Sequence, residues 1–217
     1  DIERIEQDKQ DSIYGRLPFW STPVVFFVGV GKTIKVNDTL VGTDKLGHFL
    51  SQGWKYHNRY LRGKPEERVV QLGVRNGRGI FGAAPTRVFS NADLVANYEG
   101  YLFYRSLFED DIVTDRQAII RFDGDRAVVQ RPFAWSDHVN EFWDEALNPN
   151  HFSPNLGKHV ARNLEQLCTD YTRDPTAYVP HNPDLESRYA HIGLRDGSSF
   201  RLDQVCEDDR ISAVGTR

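Results

Sequence analysis

Thr43-Asp44-Lys45-Leu46-Gly47-His48-Phe49 opens the most clearly patterned helix in the chain. Thr43 is a residue type that caps helices, and Asp44 follows in the first turn, where the helix dipole favours a negative charge. From there Leu46, Phe49, Leu50, Gly53, Trp54, His57, Tyr60 and Leu61 recur at spacings of three and four. That period predicts one apolar helical face ending near Arg62-Gly63. Asp44, His48, Lys55 and Arg59 fall largely on another face. Side chains four residues apart are neighbours on a helix, so the Asp44 carboxylate can orient the His48 ring and raise its basicity.

A second polar turn lies further along the chain. Ser90 is a good N-cap, and Asp93 at the third helical position makes a variant of the capping box. Leu94, Val95, Tyr98, Tyr101, Leu102 and Arg105 trace one face of this helix through about Phe108, while Asp93, Asn97, Gly100 and Tyr104 trace another. Asp93 and Asn97 thus repeat the spacing of Asp44 and His48. With Gly47 and Gly100 marking where the two helices approach, four polar side chains would converge at one crossing. Burying such groups requires that they bond each other or a ligand.

The expected site therefore consists of His48 as general base or metal ligand, Asp44 as its orienting group, and Asp93 and Asn97 completing it. Asp44, His48 and Asp93 are the expected ligands of a divalent metal. Lys45 or Arg87 would hold an anionic group of a substrate. The competing reading is that the two acids cap their helices and the crossing is a structural hydrogen-bond network. Glu99, two residues from Asn97, points away from that face and is expected at the surface, as are the acids of Asp137-His138 and Asp144-Glu145. A carboxylic acid in a pocket could otherwise serve glycoside cleavage. His57, between Trp54 and Tyr60, reads as a core histidine with its bonds satisfied.

The remaining sequence sets the frame. A chain of 217 residues that is 39% hydrophobic can build one sizeable core. Residues 1–16 read as a flexible N-terminal arm and 17–217 as a single globular domain. The net charge of −4, with no basic stripe, argues against nucleic acid as a partner. The apolar run from Pro23 to Val30 is far shorter than the roughly 20 residues that span a bilayer. It reads as one of two strands joined at Gly29 and Gly31, or as a membrane-touching hairpin carrying Phe19, Trp20, Phe26 and Phe27, so residues 17–30 are the expected contact with a membrane surface or lipid.

Gly73, Gly77, Gly79 and Gly82 match no phosphate-loop pattern and read as a closely packed loop. Gln117–Phe122 and Arg126–Arg131 flank Asp123-Gly124-Asp125 as a β-hairpin. Ser136 caps a short helix carrying Val139, Phe142, Trp143 and Leu147. Ser153-Pro154 starts a helix running to about Tyr171. Tyr189–Leu194 and Phe200–Val205 suggest a second small hairpin. Cys168 and Cys206 have no zinc spacing. They are a disulfide in an oxidising compartment or two separate thiols in the cytosol. No GxSxG, HExxH or EF-hand pattern is present. The fold class is α+β, mainly α-helical: one helical core with one or two small β-hairpins at its edge.

Asp44-Lys45-Leu46-Gly47-His48-Phe49 resembles the DKxxHF signature of VanZ-like membrane proteins and of some small bacterial envelope lipoproteins of unknown function. The resemblance covers these six residues, and the chain lacks the multiple membrane spans of VanZ-like proteins, so it carries over no activity. It implies a bacterial envelope context, periplasmic or secreted, in which Asp44, Lys45 and His48 act together. The leading expectation is an envelope or secreted hydrolase acting on a phosphoester or lipid headgroup. The alternatives are a non-catalytic envelope protein binding a lipid, glycan or protein partner, and a secreted effector acting on another cell.

Overall fold

The helix expected at Thr43 forms in three consecutive parts. A computed structural model describes residues 2–3, 13–15, 32–78, 88–175 and 182–207. Arg87, Gly79, Gly82 and the expected lipid-contacting stretch 17–30 lie outside the described residues. Helix α1 (Asp44–Gly47) passes into a five-residue π-helical turn (His48–Gln52), which passes into α2 (Gly53–Leu61). Such π-turns are frequent at functional sites, and this one begins at His48. Thr43 is not the cap that its residue type suggests: its backbone is already helical, and its side chain makes no capping bond.

Ahead of α1, β1 (Ile2–Glu3), β2 (Thr33–Val36) and β3 (Thr39–Gly42) form a three-stranded antiparallel sheet. Val36 pairs with Thr39 across Asn37-Asp38, both at positive φ. That conformation suits a two-residue hairpin and favours Asn and Asp. The strand expected from Pro23 to Val30 lies outside the described residues.

After α2, α3 (Glu66–Arg78) carries the first two glycines of the expected loop inside a helix. A Cβ on Gly73 would overlap the Tyr56 hydroxyl, so glycine there admits that ring. Strand β4 (Val88–Phe89) leads into α4 (Asn91–Ser106), with Ser90 Oγ accepting from the Asp93 N–H as the capping pattern predicts. The expected hairpin forms as β5 (Ile120–Asp123) and β6 (Arg126–Val129), with Gly124 at positive φ in its turn.

Two expectations for the second half are corrected. In place of a helix from Ser136 there are two short 3-10 turns, Trp135–Asp137 and Glu141–Trp143. They bury Val139, Phe142 and Trp143 without a regular helix, because Asn140 and Asn148 side chains hold the backbone between them. In place of a C-terminal hairpin there are α7 (Pro183–Tyr189), a 3-10 turn at Ser198–Phe200 and a helical stretch at 202–207. Asn182 caps α7 by accepting from the Asp184 N–H. Between β6 and α7, β7 (His151–Phe152) pairs with β4, and the long helix expected from Pro154 divides into α5 (Pro154–Glu165) and α6 (Cys168–Arg173).

Helix α4 is the centre of the molecule and is buried around nearly its whole circumference. The main core gathers Phe49, Tyr56, Val69, Leu94, Val95, Tyr101, Trp143 and Tyr189 around it. A smaller cluster of Phe152, Leu156, Val160, Leu164, Leu202 and Val205 is closed by the Cys168–Cys206 disulfide. Two stretches of the expected N-terminal arm are tied in as well. Ile2 pairs with Val36, and the Tyr14 hydroxyl accepts a hydrogen bond from Asn150 at 2.7 Å.

The crossing of α2 with α4 is made by glycines. A Cβ on Gly53 would lie 2.5 Å from the Gly100 carbonyl carbon, and one on Gly100 would overlap the Phe49 carbonyl oxygen. Gly47, expected at this contact, has nothing within 4 Å of where its Cβ would be. The two positions are therefore opposite in sign. Gly100→Ala is expected to destabilise the fold by at least about 1–3 kcal/mol through backbone overpacking. Gly47→Ala, at an exposed helical position, is expected to stabilise it by about 0.5–1 kcal/mol. Urea denaturation of the two variants checks this; equal effects would show that the crossing is not set by backbone contact.

Candidate functional site

The close approach at Gly53 and Gly100 brings His48 against the first turns of α4. Its Nδ1 lies 3.0 Å from Asn97 Oδ1 and its Nε2 lies 3.3 Å from Asp93 Oδ2. Asn97 in turn donates to the Tyr56 hydroxyl from its amide nitrogen, which leaves the amide oxygen to face the histidine. A carbonyl oxygen only accepts, so Nδ1 carries a proton, and Nε2 is the ring nitrogen turned to the Asp93 carboxylate.

Asp44, His48 and Asp93 each offer one ligand atom, and these atoms lie within 4.8 Å of one another. Metal–ligand bonds of about 2.0–2.2 Å place neighbouring ligand atoms roughly 3 Å apart, and the 3.3 Å between His48 Nε2 and Asp93 Oδ2 matches that spacing. The cluster is not sealed. The Asp44 side chain is 54% exposed, and those of His48 and Asp93 are partly exposed. One edge of the group therefore faces solvent, the arrangement expected where a ligand must enter. All four residues expected to converge do so.

Beneath this edge lies a buried cation. The Lys45 side chain is 3% exposed, and its ammonium stands 2.8 Å from Asp44 Oδ2, 2.7 Å from Asp93 Oδ1 and 2.8 Å from Glu145 Oε1. Three carboxylates stand at ion-pair distance from the ammonium, so Lys45 organises the cluster instead of reaching outward to a substrate. Burial opposes its charge, but Asp93, then Glu145 and Asp44, hold its pKa well above the ordinary lysine value. The acids respond in kind. Burial pushes Asp93 up, yet Lys45 and His48 outweigh it and keep the carboxyl below its ordinary range. Glu145 is likewise raised by burial, and lowered on balance by Lys45 and by a hydrogen bond from Tyr14. Three carboxylates around the one Lys45 ammonium leave the cluster negative, whether or not His48 carries a charge.

Glu145 was expected to be an ordinary surface acid. It comes from the irregular segment after Trp143, and the Ser90 hydroxyl, already capping α4, donates to it at 3.0 Å. No local spacing connects Glu145 with Lys45; a loop brings it across. The neighbouring Asp144 is pushed up to about 6 by burial, with Glu145 adding to the shift against two backbone hydrogen bonds.

Glu99 also corrects its expectation. It is fully buried, accepting from the Tyr189 hydroxyl at 2.6 Å, pairing with Arg188 at 2.8 Å and facing His138 Nδ1 at 3.1 Å. Asp137 is buried too and is held by Arg131 at 2.7 Å. Helix α4 has no solvent face along its middle turns, so leaving the Asn97 face leads only to another interior. Sealed and ion-paired, Glu99 has no access to a glycosidic bond. His57 is buried as expected, stacked on Tyr104, but its Nδ1 has no hydrogen-bond partner, and burial lowers its pKa.

The chain matches no family model, no curated protein and no solved structure, so the reading of this site rests on its own geometry.

The Lys45 cluster has a definite pH signature. Asp93 and Glu145 have depressed values in the folded state, so their contribution is complete above the ordinary carboxylate pKa of about 4. It is lost as the pH falls through the lowered values. Lys45 has a raised value, so its contribution is complete below about 10.4 and lost at still higher pH. Lys45→Met removes the common counter-charge and is expected to cost about 3–5 kcal/mol near neutral pH. Part of that loss should return on acidification towards pH ~4, as protonation relieves the carboxylates, and the variant should gain more than the wild type. Urea midpoints across pH measure this; a constant difference between the two proteins would contradict the buried cluster.

Proposed function

We propose that Asp44, His48 and Asp93 bind a divalent metal ion, and that the protein is an envelope or secreted hydrolase acting on a phosphoester or lipid headgroup. The observation that carries the reading is the bond from His48 Nδ1–H to Asn97 Oδ1, with Nε2 turned to Asp93 at 3.3 Å. Histidine ligands of metals commonly donate their other ring N–H to an oxygen, which sets the tautomer and the ring orientation. Here that partner is supplied by α4. Asp93, in turn, is kept ionised and ligand-ready by Lys45.

Three protein ligands beside an exposed edge are the donor set of a catalytic ion rather than of a closed structural one. An ion held there would supply Lewis-acid polarisation of a phosphoryl oxygen. The residues of the chain do the rest. Asn97 holds the ring, Lys45 holds Asp44 and Asp93 in place, and the cluster's negative charge attracts the cation. The envelope setting is supported by the Cys168–Cys206 disulfide, since such bonds persist in oxidising compartments, and by the resemblance at Asp44–Phe49. Among the described residues, no helix is long and apolar enough to cross a membrane.

A specific observation favours the alternative of a non-catalytic envelope protein. Lys45 already compensates much of the charge on Asp44 and Asp93, as a purely structural crossing would require. Metal binding separates the two readings. Chelator-treated protein titrated with zinc, manganese or magnesium is expected to take up one equivalent and to melt at a higher temperature. Asn97→Ala, which removes the orienting bond and the amide's bond to Tyr56 but none of the proposed ligands, is expected to weaken binding by about 10–100-fold, and His48→Ala to abolish it. No uptake by the wild type, or identical uptake by His48→Ala, would leave the structural network as the better account.

A further inference from the structure

The helix that begins with the candidate metal ligand ends in a surface with two distinct edges. Leu50, Trp54 and Leu61 are exposed large apolar side chains, Trp54 at 47% and Leu61 at 64%. Spacings of four and seven residues place them along one stripe. Lys55, Arg59 and Arg62 follow at spacings of four and three and form the adjoining stripe, exposed throughout. With Asn58 between the stripes and Leu72 of α3 as its far wall, the basic edge lines an open groove of about 410 Å³. The opposite side of α2, with Gly53, Tyr56 and His57, is buried against the core.

We infer that this face of α2 docks on an anionic phospholipid surface. Charge and apolarity point to the same occupant. Among the described residues no carboxylate pairs with Lys55, Arg59 or Arg62, although acids outnumber bases in the chain. Three cations gathered on one helix with no acid against them among the described residues, in a chain of net charge −4, complement an anionic partner. A small anion such as phosphate would use the groove but has no use for exposed Leu50, Trp54 and Leu61. A bilayer surface uses both stripes. Tryptophan and leucine enter the boundary between headgroups and acyl chains, while lysine and arginine reach phosphates from the same helix. Trp54 is held for that role by edge-on packing against Tyr104, whose hydroxyl bonds the Leu50 carbonyl oxygen.

The surface differs from the stretch 17–30 expected to touch lipid, and the inference is independent of whether a metal binds at His48. It makes the partner of this face a membrane even for a non-catalytic protein.

Flotation of the full chain with vesicles tests it. The protein is expected to float with vesicles of equal parts phosphatidylcholine and phosphatidylglycerol, not with phosphatidylcholine alone, and to be released by salt. The triple variant Lys55→Glu, Arg59→Glu, Arg62→Glu should lower partitioning at least about a hundredfold. Trp54→Ser, which leaves every charge in place, should lower it to an intermediate degree. All four positions are exposed, and circular dichroism checks that each variant is folded. Failure of the wild type to float overturns the inference. So does equal flotation of the triple variant, which would place the contact elsewhere in the chain. Binding of inorganic phosphate, a nucleic acid or an acidic protein without vesicle binding overturns it as well.

Discussion

Two glycines in backbone contact set the geometry on which everything else depends. Gly53 and Gly100 allow α2 and α4 to approach until a methyl group on either would strike the other helix's main chain. At that separation the side chains about one turn before Gly53 and one and two turns before Gly100 must interdigitate. Those side chains are His48 and Phe49 on one helix and Asn97 and Asp93 on the other. A polar crossing this tight is stable only where its groups find hydrogen-bond or ion-pair partners. Asn97 binds both His48 and Tyr56, and Asp93 faces both His48 and Lys45.

Lys45 is the second element of the design. An ammonium taken from water is costly, and it is retained where several acids surround it closely. Here those acids come from three separate parts of the chain: α1, α4 and the loop after Trp143. The cation thus joins the helix crossing to the irregular segment that packs Phe142 and Trp143 into the core. The same arrangement keeps Asp93 charged beside a half-exposed histidine. Stability and candidate chemistry therefore share one set of atoms. A second set, the buried Glu99, Tyr189 and His138 with the partly exposed Arg188, ties α7 to the other side of α4.

The convergence of His48, Asp93 and Asn97 was legible in the sequence because capping and four-residue spacing are local properties. Ser90 caps α4, and the hairpin around Gly124 forms, for the same reason. The contact glycine was misplaced from Gly53 to Gly47. Which glycine of a helix touches its neighbour depends on where the axes cross, and a π-turn between the two residues shifts the facing. Glu99 and Glu145 were misjudged because their partners, Arg188 and Lys45, are distant in the chain. Face assignments also fail on a helix such as α4 that has no wet side. Tyr189 and Val205 have strand-forming side chains, but long-range ties override that preference. Tyr189 is fixed by its bond to Glu99, and the segment holding Val205 is fixed by the disulfide at Cys206.

The account turns on the protonation of one ring. Long-range proton–nitrogen NMR correlations of His48, recorded before and after addition of zinc, report it directly. In the metal-loaded protein the geometry predicts a ring protonated at Nδ1 alone, with the metal shifting the Nε2 resonance and the Nδ1 proton still bonded to Asn97. A metal that displaces the Nδ1 proton instead, or ring nitrogens that do not respond to the metal, would contradict it.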